Sequence, residues 1–394
     1  MTTFSERPVW AMAFRPFYLL SALYAAVSVL LWGFGYQGTS VLPSFYWHAH
    51  EMIWGYAGAV VVAFLLTAVA TWTKQPPVHG RFLIVLTALW LAARVLVFVP
   101  RHWALAASGV CGTLFYWLSA YGMGDAVWKS RSTRNYIAVA ALFMLGATHG
   151  LFHLFLHPID GAVLHNGLIS GLIMVAGFIG LVGNRIISFF TSRRLNVEQV
   201  QSPMWLMFST LVLPMLIAPL LFLQAAWPFL KPVVGVLAIV LGIINIIQSV
   251  RWFDKGVLRE PMLWVLHIGY AFTALGLLFM GIGRFYSQAQ SLGVHLLAVG
   301  GIGLLTIGMM TRTALGHTAR PLYPVPKGLG LAFWLMVAAS LMRALAAVML
   351  YVQHPTAYLH SYRCSAVLFA VSMLIFFFRY LPWLLRPRLD GKPG

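Results

Sequence analysis

Two imidazoles and a carboxylate stand within four consecutive positions of this sequence, in Trp47-His48-Ala49-His50-Glu51-Met52, at the entrance of an apolar run that continues to Ala70. Polar and charged groups at the edge of a hydrocarbon layer are costly and are usually kept there for function. Imidazole suits copper, zinc, iron and nickel, so the stretch reads as one wall of a metal or haem site. On a regular helix residues two apart point about 200° from each other. His48 and His50 therefore grip one ion together only if the helix entrance is irregular; otherwise each serves a different centre. His48 and Glu51 share a helical face, and Glu51 can orient an imidazole by accepting its second ring proton. The bland alternative is an interfacial polar belt beside Tyr46 and Trp47.

Other histidines are placed for similar chemistry. His149, His153 and His157 recur at intervals of four, which sets them on one helical face. Adjacent members can chelate copper or zinc, although such a ladder also hydrogen-bonds backbone or lipid headgroups. His295 precedes Gly300-Gly301-Ile302-Gly303; small residues permit close helix approach and also leave room for a flat macrocycle. His267 lies in Trp264–Tyr270 and His317 in Gly316–Arg320. At 1.5 Å per residue His267 is about 8 Å from the inner edge of the membrane and His295 about 6 Å from the outer edge. In a core of about 30 Å they are some 15 Å apart and cannot be the two axial ligands of one iron. Two separate centres, or one centre and a structural histidine, are expected.

Arg94, Arg343 and Arg363 lie inside apolar runs and need partners. The chain has only eight acidic residues, most of them in loops. Haem propionates would serve, since arginine pairs bidentately with carboxylates; lipid phosphate or backbone carbonyls are the alternative.

The elements that must position these groups are membrane spans. Of 394 residues 61% are hydrophobic and 9% charged, with mean hydropathy +0.84; a soluble domain carries roughly 25% charged residues. Windows of about 20 apolar residues cross a bilayer, and about twelve occur: 17–35, 47–72, 82–99, 103–123, 136–156, 163–190, 204–223, 229–249, 262–283, 292–310, 329–351 and 357–380. No soluble module interrupts them, so residues 1–394 are expected to form a single transmembrane helical domain of all-α, polytopic class. Odd-numbered connections carry only Arg101, Lys231 and Arg284, whereas even-numbered connections and the ends carry the other loop cations. The positive-inside rule then puts both termini in the cytoplasm. The net charge of +18 belongs to those loops, and nucleic acid is not an expected partner; membrane lipid is. The N-terminal stretch lacks a short apolar core ending in a cleavage site, so the first run is expected to remain a helix.

Several chemistries find no support. Cys111 and Cys364 make no disulfide framework or covalent haem motif. No span has a ladder of carboxylates for proton pumping, no phosphate-cradling loop occurs, and nothing resembles a Ser-His-Asp set.

FRPF at 14–17, WHAHEM at 47–52, FLLTAVATWT at 64–73, GNRIISFFT at 183–191, EPMLWVLHIGY at 260–270, VHLLAVGGIG at 294–303 and MMTRTALGHTARPL at 309–322 together resemble the NnrS family over nearly the whole length. The family pattern reads nearer N-W-T where this chain has Ala70-Thr71-Trp72-Thr73, and G-H-T-G-R where it has Gly316-His317-Thr318-Ala319-Arg320. The resemblance implies a bacterial inner-membrane, multi-pass protein of the nitric oxide response, associated with haem b and copper. By motif position it implies His48, His50, Glu51, Arg94, Arg185, His267, His295, His317 and Arg320 as site residues; His149 and His153 lie outside its motifs. The expected ligand is nitric oxide or a related small molecule. Catalysis is left open, because nitric oxide reduction needs an electron donor and a proton path and neither is visible. A metal or small-anion transporter is the rival expectation, and a sensory or scaffolding protein a third.

Overall fold

The computed structural model describes residues 3–156 and 159–392. Twelve long helices without strands make the chain an all-α polytopic membrane protein among these residues. They are α1 (Phe14–Gly33), α2 (Ser44–Thr73), α3 (Gly80–Leu96), α4 (His102–Lys129), α5 (Tyr136–Leu154), α6 (Gly161–Leu195), α7 (Met204–Leu223), α8 (Leu230–Trp252), α9 (Pro261–Ile282), α10 (Gln288–His317), α11 (Leu329–Tyr351) and α12 (Pro355–Leu384). Eleven are long and apolar enough to cross a membrane. The remaining one, α3, has 17 residues and spans about 26 Å.

The chain forms two compact units. The first comprises residues 1–171, 310–324 and 373–394; the second comprises 172–309 and 325–372. In lipid every backbone polar group must be satisfied within the protein, which is why the apolar runs become helices. Polar side chains inside the spans turn back on the same helix, as Thr67 Oγ1 does to the Ala63 carbonyl at 2.7 Å and Thr87 Oγ1 to that of Leu83 at 2.9 Å. Large apolar side chains remain on the outside, including Trp103 and Trp128 near the two ends of α4. Twenty-five positions of helix separate these tryptophans by about 37 Å, matching the two interfaces where such rings settle.

Helix α2 is not regular. Residues Glu51–Ala57 wind as a π-helix between two α-helical segments, and the Gly58 amide reaches back five residues to the Ile53 carbonyl. In the first unit this wide turn packs on α1, α3 and α4. Tyr116 Oη donates to the Trp54 carbonyl at 2.5 Å, and Trp90 Nε1 to that of Gly55 at 2.9 Å. Side chains of α3 and α4 thus supply partners to carbonyls of the wide turn. A second π segment, Leu296–Gly303, interrupts α10. π-turns are rare and cluster at functional sites.

The tenth apolar run ends at 310, but α10 continues to His317. Thr311, Arg312 and Thr313 interrupt the run without interrupting the helix, because protein surrounds them: Thr311 is fully buried and Arg312 Nη2 donates to Tyr323 Oη at 3.2 Å. His317 therefore closes the helix instead of following it in a loop. The Arg320 amide bonds the Leu315 carbonyl at 2.9 Å, and Ala319 takes φ +59°. This is the left-handed helix stop usually given to glycine.

Candidate metal centre

His50 lies in the last α-helical turn before the π segment and is fully buried. His149 and His153 project from α5 toward it. His50 Nε2 is 3.1 Å from His149 Nε2 and 3.0 Å from His153 Nε2. A set of one ligating atom from each of the three residues lies within 4.8 Å of one another. An ion about 2.0 Å from three imidazole nitrogens holds them about 3.3–3.5 Å apart, close to this arrangement.

Glu51 determines which nitrogen of His50 faces the cluster. Its Oε1 is 2.6 Å from His50 Nδ1, so the ring proton sits on Nδ1 and the Nε2 lone pair points inward. The other oxygen, Oε2, takes Arg94 Nη1 at 2.9 Å and the Tyr24 hydroxyl. Glu51 is itself fully buried; an ionised carboxylate at such depth requires a cation and hydrogen bonds, and Arg94 and Tyr24 supply them. Thr113 Oγ1 lies 3.0 Å from His149 Nδ1, anchoring the outer nitrogen of that ring as Glu51 anchors His50. The walls are aromatic: Phe152 lies 5.4 Å, centroid to centroid, from both His50 and Trp54. Trp54 in turn meets His149 edge-on at 5.5 Å.

Glycines make the room. A Cβ at Gly112 would lie 2.5 Å from His149 Cε1, and one at Gly109 would lie 2.7 Å from His153 Cγ. One at Gly55 would collide with the Arg94 guanidinium. Three helices thus converge on one point: α2 brings an imidazole and its carboxylate, α5 two imidazoles, and α4 the hollow that receives them.

The model of the NnrS protein family matches residues 8–388. The chain belongs to the NnrS family. No curated protein matches it. Family membership supports a membrane protein of the nitric oxide response, and the many apolar helices make it multi-pass.

The other residues marked out in this NnrS sequence have different surroundings. His48 stacks on Trp32 at 4.6 Å with the rings 7° from parallel, and Glu51, expected to orient His48, goes to His50. Adjacent residues meet here because the carboxylate sits where the helix changes pitch. Arg94, expected to seek a group outside the protein, has Glu51 as its carboxylate. His157 lies outside the described residues. His317 faces the Phe14 ring at 5.6 Å, and the Arg320 guanidinium lies 4.7 Å from the Trp383 ring centroid. Arg185 is half-buried in α6.

His267 and His295 belong to the second unit. Thr191 Oγ1 donates to the Ile187 carbonyl at 2.9 Å and lies 2.9 Å from His267 Nε2, so Nε2 carries the proton and donates to the hydroxyl. His295 Nδ1 donates to the Ser291 carbonyl at 2.8 Å, and its Nε2 accepts from Arg343 Nη2 at 2.9 Å. Gly269 packs on Leu305, Gly276 on Leu297 and Gly293 on Met280. His295 therefore lies opposite about residue 278 of α9, eleven positions or about 16 Å from His267; the two do not share an iron. The glycines expected to leave room for a macrocycle are filled: a Cβ at Gly300 would be 2.6 Å from Phe272 Cγ, and one at Gly301 would meet Thr273 Oγ1. His295 and the small residues after it thus fit close helix packing and do not fit a haem, whereas the three-histidine cluster fits a single transition-metal ion.

Tyr24, Trp90, Thr113 and Tyr116 were not foreseen as site residues. One signal was present in the sequence: Gly109 and Gly112 stand three apart in a span, as small residues do where another helix must come close.

Proposed function

We propose that this NnrS protein holds one copper ion on His50, His149 and His153 and uses it to bind nitric oxide within the membrane. The observation that carries the proposal is the meeting of three imidazole Nε2 atoms, one of them bare because Glu51 takes the Nδ1 proton of the same ring. Among divalent first-row ions, affinity for nitrogen ligands peaks at copper. When bound, the ion supplies a one-electron couple and an open coordination position.

The chain's own residues do the rest. Glu51 keeps the His50 proton on Nδ1 and fixes the ring's orientation, as second-shell carboxylates do for metal-bound histidine. Arg94 and Tyr24 keep that carboxylate charged and in place. Trp54 and Phe152 exclude water and offer an apolar wall. A neutral diatomic dissolves in lipid and enters such surroundings without the desolvation cost that a charged substrate meets. The full burial of His50 and His149 favours a resident ion over a transported one. A haem has no comparable support among His267, His295 and His317, so the proposal rests on the single ion.

Elemental analysis of the purified full chain tests it. One copper per chain is expected in the wild type and less than a tenth of that in His153→Ala, with the helical circular dichroism unchanged. A wild-type protein that takes up no copper when reconstituted overturns the proposal.

A further inference from the structure

Arg343 in α11 is a half-buried cation with half of its fork unspent. Its Nη2 donates to His295 at 2.9 Å, and its Nη1 is buried with no hydrogen-bond partner among the described residues. The ring of Tyr362 lies 5.9 Å from the guanidinium carbon. His295 brings no charge of either sign, since its Nδ1 proton goes to the Ser291 carbonyl and its Nε2 acts as acceptor. No carboxylate of the second unit is within reach among the described residues. The acidic residues of the second unit are Glu198, Asp254 and Glu260, and Glu260 is tied to Arg194 at 2.6 Å. Asp254 and Glu260 precede α9, whereas Gly293 packs on Met280 near the other end of that helix. About 20 residues of helix, or roughly 30 Å, separate them from His295. Glu198 follows α6, four residues beyond Arg194, and belongs to the same distant end.

An arginine stays ionised in protein and presents parallel N–H groups along one edge. Two oxygens on one atom match that edge. We propose that Arg343, braced by His295, binds an oxyanion that presents two oxygens to the guanidinium, either a small free anion or the acidic headgroup of a lipid. This site shares no residue with the three-histidine cluster and does not depend on the copper reading. His295 is a positioning residue here: it fixes the plane of the guanidinium by occupying one N–H, so the remaining edge faces a set direction.

The test uses the purified full chain in detergent with nitrite as the probe, bound nitrite being read after equilibrium dialysis. Saturable binding of one nitrite per chain is expected. It should weaken at least tenfold in Arg343→Gln, be partly retained in Arg343→Lys, and be unchanged in His153→Ala. Native mass spectrometry separates the two sources: a phospholipid carried by the wild type and lost from Arg343→Gln assigns the site to a headgroup. Should the variants fail to fold, nitrite protection of Arg343 from phenylglyoxal, read by peptide mass spectrometry on the wild type, serves instead. Equal nitrite affinity in wild type and Arg343→Gln overturns the proposal. So does a wild type that neither retains phospholipid nor binds or is protected by nitrite.

Discussion

Glu51 is where the chemistry of the first unit is decided, because one carboxylate serves His50, Arg94 and Tyr24 together. Replacing Glu51 by Gln removes the charge that holds the His50 proton on Nδ1. Copper affinity should fall about 10–100-fold, measured by competition with a chromophoric chelator. Arg94→Met leaves the carboxylate buried without its cation and should destabilise the protein by about 3–5 kcal/mol, read as a lower denaturation midpoint. The Glu51→Gln, Arg94→Met double variant should recover much of that loss, since no lone charge remains. The sequence marks His50, Glu51 and the His149–His153 pair, because residue type and spacing are local. It does not show that they meet. Arg94 looked short of a partner when its carboxylate lay 43 positions earlier in the same chain, a pairing that no periodicity rule reports. His48 and His50 are equally visible in the sequence; both lie in the regular α-helical segment before the wide turn, and their separation of about 200° around the axis sends one to Trp32 and the other to the cluster.

At the level of the element, two features depend on a single atom or a single angle. Gly112 gives up its side chain so that His149 can lie against α4. Gly112→Ala should force the ring aside, cost about 1–3 kcal/mol as overpacking, and lower copper content while the helical signal persists; elemental analysis beside a thermal melt checks both. Ala319 holds a left-handed backbone at φ +59°, which costs an L-residue about 1–2 kcal/mol. Ala319→Gly should therefore stabilise the protein by roughly 1 kcal/mol and raise its melting midpoint. The departure from the family's glycine was legible in the sequence, although its meaning as a helix stop was not, because hydropathy ends the span at 310 and geometry ends it at 317. Neither π segment was legible as such. The composition of a helix says little about its pitch, and the spacing of His48 and His50 did not require an irregular helix, since the two go to different partners.

For the whole molecule, hydropathy was the strongest guide. A bilayer demands an unbroken apolar stretch for every crossing, so the twelve runs in the sequence correspond to twelve helices, with ends displaced by a few residues where polar side chains find protein partners. The distribution of lysine and arginine among the connections leads us to propose that both termini lie in the cytoplasm. A fluorescent protein fused after Gly394 should then fluoresce, and alkaline phosphatase fused at the same point should stay inactive; the opposite pair of results would reverse the topology. Loop charges report orientation because translocation reads them directly. They say nothing about which helices touch, and the copper-site geometry is out of their reach.

The wide turn at Glu51–Ala57 holds, in effect, one surplus amino acid. Excising a single codon there would let α2 close into a uniform coil, and the residues of the turn itself, Glu51 among them, would be re-aimed around the axis. Lipid would still accept the shortened segment. Insertion and chemistry are thereby separable by the loss of one residue: a chain lacking it would thread correctly through lipid while its carboxylate no longer held the imidazole beside it.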